Sequence, residues 1–284
     1  MARNLTRKLQ SAPFDKIIHP NIYTWNQTDL IVVYTTIVYI FDNEKRKWKQ
    51  YYTRRLREVS ANHMAGSIQI THLSFAHYHN PERMHFGVLR VLNDDFVDGG
   101  KGFGTHPHDN MEIISIPLSG DLEHKDSMGN TTVIKQNDVQ IMSAGTGIQH
   151  SEYNRNKDKK VNFLQIWVFP KVRNIMPRYG QLTFNPVERI NNLQQIVSSK
   201  KEDAGVWINQ DACFHLGNLK NGFSTEYKIK HKGNGVYAFV IDGDVTINDQ
   251  KLNKRDGLGI WDVENFSLRA DSDAEILLME VPMN

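Results

Sequence analysis

The phrases Thr-His106-Pro-His108 and Gln-His150-Ser-Glu152 each set two metal-competent side chains two positions apart. Side chains two apart on a β-strand point to one face, so each pair can look into a common interior. Three neutral imidazoles and one carboxylate form a mixed nitrogen and oxygen ligand set. Such a set suits Fe, Ni, Cu, Mn or Zn and offers no thiolate to a softer ion. Glycines stand close to both pairs, at Gly100, Gly102, Gly104, Gly145 and Gly147, as tight turns and close backbone approach require. An isolated His-x-His is usually solvated or hydrogen-bonded within the protein. Two such pairs in strand-like text point instead to a metal cage inside a β-barrel.

The text around the pairs reads as short strands and turns. Residues 86–95 form a strand carrying Phe86, Val88, Val91 and Leu92, ended by Asn93-Asp94-Asp95. Residues 111–118 form another, broken near its end by Pro117, and Ser119-Gly120-Asp121 turns the chain back. Further strands follow at 130–134, 139–142 and 161–169, and Arg173 to Tyr179 crosses to a second half. Residues 185–199 are the best helical stretch. From Gly205 on the chain returns to strands and turns, which predicts a second barrel.

Charge adds little. There are 34 basic against 32 acidic residues, and their interspersion beyond residue 60 indicates neither a nucleic-acid nor a membrane surface. A single cysteine, Cys213, forbids an intrachain disulfide, fits a reducing cytoplasm, and reads as a small buried hydrophobe. Residues 1–55 differ from the rest, with a β-branched and aromatic run at 30–41 and a basic flank at 45–50. That run is shorter than the roughly 20 apolar residues a membrane helix needs, and no signal-type cleavage site follows it. An added hairpin and a membrane-proximal anchor are conceivable; the favoured expectation is an appendage outside the native domain.

The spacings Gly100-x5-His106-x-His108-x3-Glu112 and Gly147-x2-His150-x3-Asn154 resemble the two cupin motifs. More closely, the chain from Leu73 on resembles the pirin family, especially its bacterial bicupin members with quercetinase activity. The matching phrases include Asn80-Pro-Glu-Arg-Met84, Phe86 to Asp95, Gly102 to His108, Glu123 to Asn130 and Met142 to Asn154. The resemblance implies an all-β chain of two cupin barrels: an extension at 1–55, a metal-binding cupin at 56–172 and a C-terminal cupin at 173–284 without the ligands. Pairing Gly120-Asp121 with Gly243-Asp244, and Asp138 with Asp256, sets Ile229 and His231 opposite His106 and His108, and Leu268 opposite His150.

The resemblance further implies one divalent transition metal held by His106, His108, His150 and Glu152. The substrate is then a flavonol or similar small aromatic, whose ring is cleaved with O2 and loss of carbon monoxide. Glu152 is assigned as both ligand and general base. Glu112 is expected beside the site, fixing an imidazole or serving as an alternative ligand, and Asn154 as a weaker partner. His124 is a further weak candidate beside the site, with an ordinary surface role the favoured expectation. Phe103, Met111, Ile113, Met142 and Phe163 are core residues, some of which can line a pocket. The competing function, which the resemblance to pirins of higher organisms allows, is a redox-sensing metal protein that modulates a protein partner. Sugar-phosphate chemistry is disfavoured, because Lys101, Lys125 and Arg155 are too scattered to hold a phosphate.

Overall fold

The structure is a computed structural model that describes residues 66–284, apart from His77 and the side chain of Glu82, and in residues 21–64 the course of five strands. Residues 1–20, which belong to the expected appendage, lie outside the described residues. The chain divides into a unit ending at Thr53 and a second unit, Arg54–Asn284. In the first, the strands Asn21–Trp25, Asp29–Tyr34, Ile37–Asp42 and Lys47–Arg54 each pair antiparallel with the next. The apolar run at 30–41 supplies one of these hairpins, with Tyr34 opposite Ile37.

The second unit is an all-β bicupin. In its first barrel one sheet has the order Arg178–Thr183, Asp138–Ser143, Glu112–Ser119, Val161–Val168, Leu89–Val97, Ser67–Thr71, Ser60–Met64. Facing it, the smaller sheet runs Thr131–Ile134, Leu122–Asp126, Ile148–Asn154, Gly102–His108. The second barrel repeats the smaller sheet as Gln250–Leu252, Val245–Ile247, Asn265–Ala270, Ser224–Lys228. Its larger sheet is built on Gly257–Ile260, Asn234–Asp242, Ala274–Pro282, Cys213–Leu219 and Leu193–Ser198.

Alternation along the strands sorts side chains between two interiors. On Val161–Val168, Leu164, Ile166 and Val168 join Phe239, Leu277 and Met279 of the second barrel in one apolar layer. Each such fully buried side chain contributes about 1.5–3 kcal/mol. Residues of the other face, Phe163, Gln165 and Trp167, belong to the first barrel. There Phe163 packs with Leu122 and Ile134 in one cluster, and Trp167 with Ile113, Met142 and Ile148 in another. Between them in strand order runs a polar row, with Gln165 opposite both Asn93 and Ser115, and Ser115 opposite Gln140. In the second barrel Phe266, Leu268, Val240 and Leu278 share one apolar cluster.

Three local expectations are corrected. Asn93, Asp94 and Asp95 do not end their strand, which runs Leu89–Val97; all three are 1% exposed. Asp94 is held by Arg255 at 3.1 Å and Asn162 at 2.7 Å, and burial pushes the Asp95 carboxyl well above the usual carboxylate range. The predicted helix over 185–199 is a short 3-10 turn, Pro186–Arg189, capped by Asn185, followed by the strand Leu193–Ser198. Asn191 at φ 50° breaks the run, and Ile196 and Val197 enter the layer between the barrels. Pro117 stays within Glu112–Ser119, at an irregularity where it faces Phe163, a place where a missing N–H is tolerated.

Candidate metal centre

The Gly102–His108 strand ends the smaller sheet of the first barrel, and the buried Ile148–Asn154 strand is its partner. Register sets His106 opposite His150 and His108 opposite Ile148. Gly102 permits the approach of the two strands, and Gly145 that of the loop before the second strand to Ile175. A Cβ on Gly102 would lie 2.2 Å from the Glu152 carbonyl, and one on Gly145, at φ 49°, would lie 2.0 Å from the Ile175 carbonyl.

The three imidazoles converge. His106 Nε2 and His150 Nε2 are 3.0 Å apart, and the ring of His108 lies 4.8 Å from that of His106 and 4.9 Å from that of His150. His106 Nδ1 is 2.8 Å from the Gly104 carbonyl. A carbonyl only accepts, so this nitrogen carries a proton, and in the neutral ring Nε2 presents a lone pair. His108 Nε2 is buried with no hydrogen-bond partner among the described residues. Burial, followed by its neighbours, holds the His150 pKa down at about 3 and that of His108 at about 4. Both rings are therefore neutral at ordinary pH, as a metal ligand must be.

Glu152 is 2% exposed. Its carboxylate accepts from Gln165 Nε2 at 2.7 Å and from Ser115 Oγ at 3.2 Å, so the polar row of the larger sheet grips it. The four residues predicted as ligands, joined by His124, fall into two overlapping groups that share His150: His106, His108 and His150, and His124, His150 and Glu152.

His124 is the residue that sequence reasoning misjudged. It is 0% exposed, not at the surface. Its Nε2 meets Asp126 Oδ2 at 3.2 Å, its Nδ1 lies 3.5 Å from His150 Nδ1, and its ring packs against Tyr179. The signal was present in the text: Glu123-His124-Lys125-Asp126 has period two, with His124 and Asp126 on one face. Burial acts to raise the Asp126 carboxyl, but hydrogen bonds from Asn130 and His124 outweigh it and hold the pKa below the usual carboxylate value.

Glu112 and Asn154 serve elsewhere. Glu112 leaves its strand on the face opposite Ile113, accepting from Ser143 Oγ at 2.7 Å and the Asn209 backbone N–H at 3.1 Å; among the described residues it makes no hydrogen bond to an imidazole. Asn154 donates to the carbonyls of Val97 and Lys159 and braces the far end of its strand.

The second barrel has no comparable cluster among the described residues. Counting from the turns misplaced its equivalents. With Val245 aligned to Leu122 behind the two Gly-Asp turns, strand pairing sets Phe266 where the first barrel has His150, and Tyr227 where it has His106. Those rings stack at 5.3 Å. The count fails because the connection leading to Phe266 is shorter, and that following Tyr227 longer, than in the first half.

Comparison with known proteins bears on both halves. Residues 53–168 match the family model described as Pirin, and residues 195–281 match that of the quercetinase C-terminal cupin domain. The quercetin 2,3-dioxygenase of Escherichia coli K12 is 41% identical over 233 residues, covering 81% of this chain and 98% of that protein. A pirin-like protein of Caulobacter vibrioides is 38% identical over 210 residues, covering 74% and 90%. Among solved structures, the bacterial pirin YhhW of Escherichia coli in complex with nickel(II) superposes with a TM-score of 0.77 at 38% identity, covering 82% of this chain and 99% of that one.

Proposed function

The chain belongs to the pirin family, and from that premise we propose that it is a metal-dependent dioxygenase that opens the heterocyclic ring of a flavonol with O2. The carrying observation is the convergence of three imidazoles, with His106 Nε2 and His150 Nε2 3.0 Å apart and His108 Nε2 buried without a partner among the described residues. Two imidazole nitrogens this close share either a proton or a cation, and the third nitrogen beside them, the unpartnered His108 Nε2, favours the cation. The residues fit a divalent transition metal: His106, His108 and His150 supply nitrogen and Glu152 supplies oxygen, a set that leaves positions for substrate. The nickel(II) complex of a pirin 38% identical to this chain supports that choice, and the relative named a quercetin 2,3-dioxygenase supports the substrate class.

When bound, the metal supplies Lewis acidity toward a substrate hydroxyl and a redox-capable centre for reaction with O2. The protein's own part is to orient and to move a proton. Glu152, gripped by Gln165 and Ser115, takes the proton of the flavonol 3-hydroxyl. The hydrogen bonds keep the carboxylate aimed while it accepts that proton. Trp167, against His108 at 4.9 Å, lies with Ile113, Met142 and Ile148, a flat apolar wall suited to an aromatic ring. His106 and His108 are half-exposed on the last strand of their sheet, whereas His150 is buried, so substrate enters past the Gly102–His108 strand.

The test is metal content by mass spectrometry, followed by oxygen uptake with quercetin. About one equivalent of a first-row transition metal, with uptake that disappears in folded His150→Ala, is the expected result. Retained binding in both His106→Ala and His150→Ala overturns the site. Bound metal without turnover favours the regulator that senses redox state and modulates a protein partner.

A further inference from the structure

The imidazole of His150 has two faces toward other rings, and only one of them is explained by a metal. Its Nε2 points to His106, while its Nδ1 points away to His124 Nδ1 at 3.5 Å. His124 is fully buried and continues the line to Asp126 Oδ2 at 3.2 Å. Asp126 is itself fixed: its Oδ1 accepts from the amides of Met128 and Asn130 at 2.9 and 3.0 Å, and its Oδ2 from Asn130 Nδ2 at 2.8 Å. The alignment is built into the sheet, where register sets Asp126 opposite His150 and His124 opposite Glu152.

We propose that Asp126 and His124 form a positioning relay that fixes the tautomer of His150 and thereby opens its Nε2 to the metal. The reasoning runs inward from the acid. An ionised carboxylate only accepts, so His124 Nε2 carries a proton and, in the neutral ring, Nδ1 is an acceptor. His150 Nδ1 is then the donor across the 3.5 Å contact, which leaves Nε2 bare, whereas the competing tautomer would donate from Nε2 to His106 Nε2 at 3.0 Å. A free imidazole does not hold one tautomer by itself; a partner on the far nitrogen selects it and also fixes the ring plane. His106 achieves the same state with one backbone carbonyl, that of Gly104. On its buried strand, His150 uses a second histidine and a carboxylate.

The inference rests on the metal reading above, and its test separates the two. Long-range proton–nitrogen NMR of the metal-free protein reads which nitrogen of His150 is protonated, and competition with a chelator reads affinity for Ni2+. His124→Phe keeps a ring in the space but removes the acceptor; His124→Asn keeps an acceptor near the position of Nδ1. Expected are Nδ1–H on His150 in the wild type, a shift toward Nε2–H in His124→Phe, and a loss of Ni2+ affinity of roughly 10–100-fold. The Asn variant recovers most of that loss, which a merely space-filling role for His124 would not produce.

The relay is overturned if wild-type His150 carries its proton on Nε2. It is equally overturned if folded His124→Phe keeps the wild-type spectrum and affinity, or if two Ni2+ bind per chain with His150 Nδ1 as a ligand. A wild-type protein that shows Nδ1–H on His150 but binds no metal supports the tautomer assignment and overturns the metal reading.

Discussion

At the scale of single residues, the site is an exercise in satisfying hydrogen bonds and leaving a chosen few unmade. Glu152 and Glu112 are both buried carboxylates with hydroxyl donors, and their partners separate them. Glu152 faces the polar row of the first barrel through Gln165 and Ser115, whereas Glu112 faces the second half through the Asn209 amide. Glu152→Gln keeps the volume and loses the base, so oxygen uptake with quercetin should fall by about 10²-fold or more in a protein that unfolds like the wild type. Unchanged uptake in that variant would remove Glu152 from the proton transfer. His124 shows how a burial judgement fails: a histidine beside lysine and glutamate reads as exposed, until alternation places it with Asp126 on the inward face.

At the scale of elements, the metal centre is a property of one strand pair. Gly102–His108 meets Ile148–Asn154 with a register shift between His150 and Glu152, the extra residue lying between Phe103 and His106 on the strand that carries the first ligand pair. A β-bulge often re-aims a side chain beside an active site. Gly102 lies across from the shift, with the Glu152 carbonyl 2.2 Å from where a Cβ would stand. Gly102→Ala must therefore push the strands apart. It should cost about 1–3 kcal/mol, the usual range for overpacking, and weaken Ni2+ binding because His106 moves with its strand. Denaturant unfolding and chelator competition measure the two effects, and a loss of neither would place the approach of the strands elsewhere.

At the scale of the whole second unit, the two barrels share an apolar layer in which Leu164, Ile166, Phe239 and Leu277 are all fully buried. Leu277→Ala should lower stability by about 2–5 kcal/mol. Because the layer belongs to both barrels, calorimetry should show them melting together at a lower temperature, not one before the other. The pH dependence follows from buried neutral histidines. Burial and the charge of Lys230 hold His215 at about 4, below its ordinary 6.5. Between these values the unfolded chain binds a proton that the folded chain refuses. Stability from this group is thus complete above pH 6.5 and is lost as the pH falls toward 4, at up to about 1.4 kcal/mol per pH unit. In His215→Gln the slope of unfolding free energy against pH should flatten by one proton over that window. Among the described residues no helix is long and apolar enough to cross a membrane.

The amino-acid sequence by itself determined the all-β class, the two barrels and the residues proposed as ligands, because period-two spacing and turn residues are local properties that survive without coordinates. The asymmetry between the barrels was legible too, as a loss of histidines in the second half. Which residues replace them was not: Tyr227 and Phe266 are equivalents by strand register, and register depends on connection lengths that counting from turns cannot see. The helix predicted over 185–199 failed for a related reason, since Ile196 and Val197 are held in a strand by a layer contributed from both barrels. The inward face of His124 was legible in its alternation with Asp126, but tertiary structure alone decided the separation of Glu112 from the imidazoles and the grip on Glu152. Each depends on what faces the side chain across a sheet, and that partner is far away in the chain.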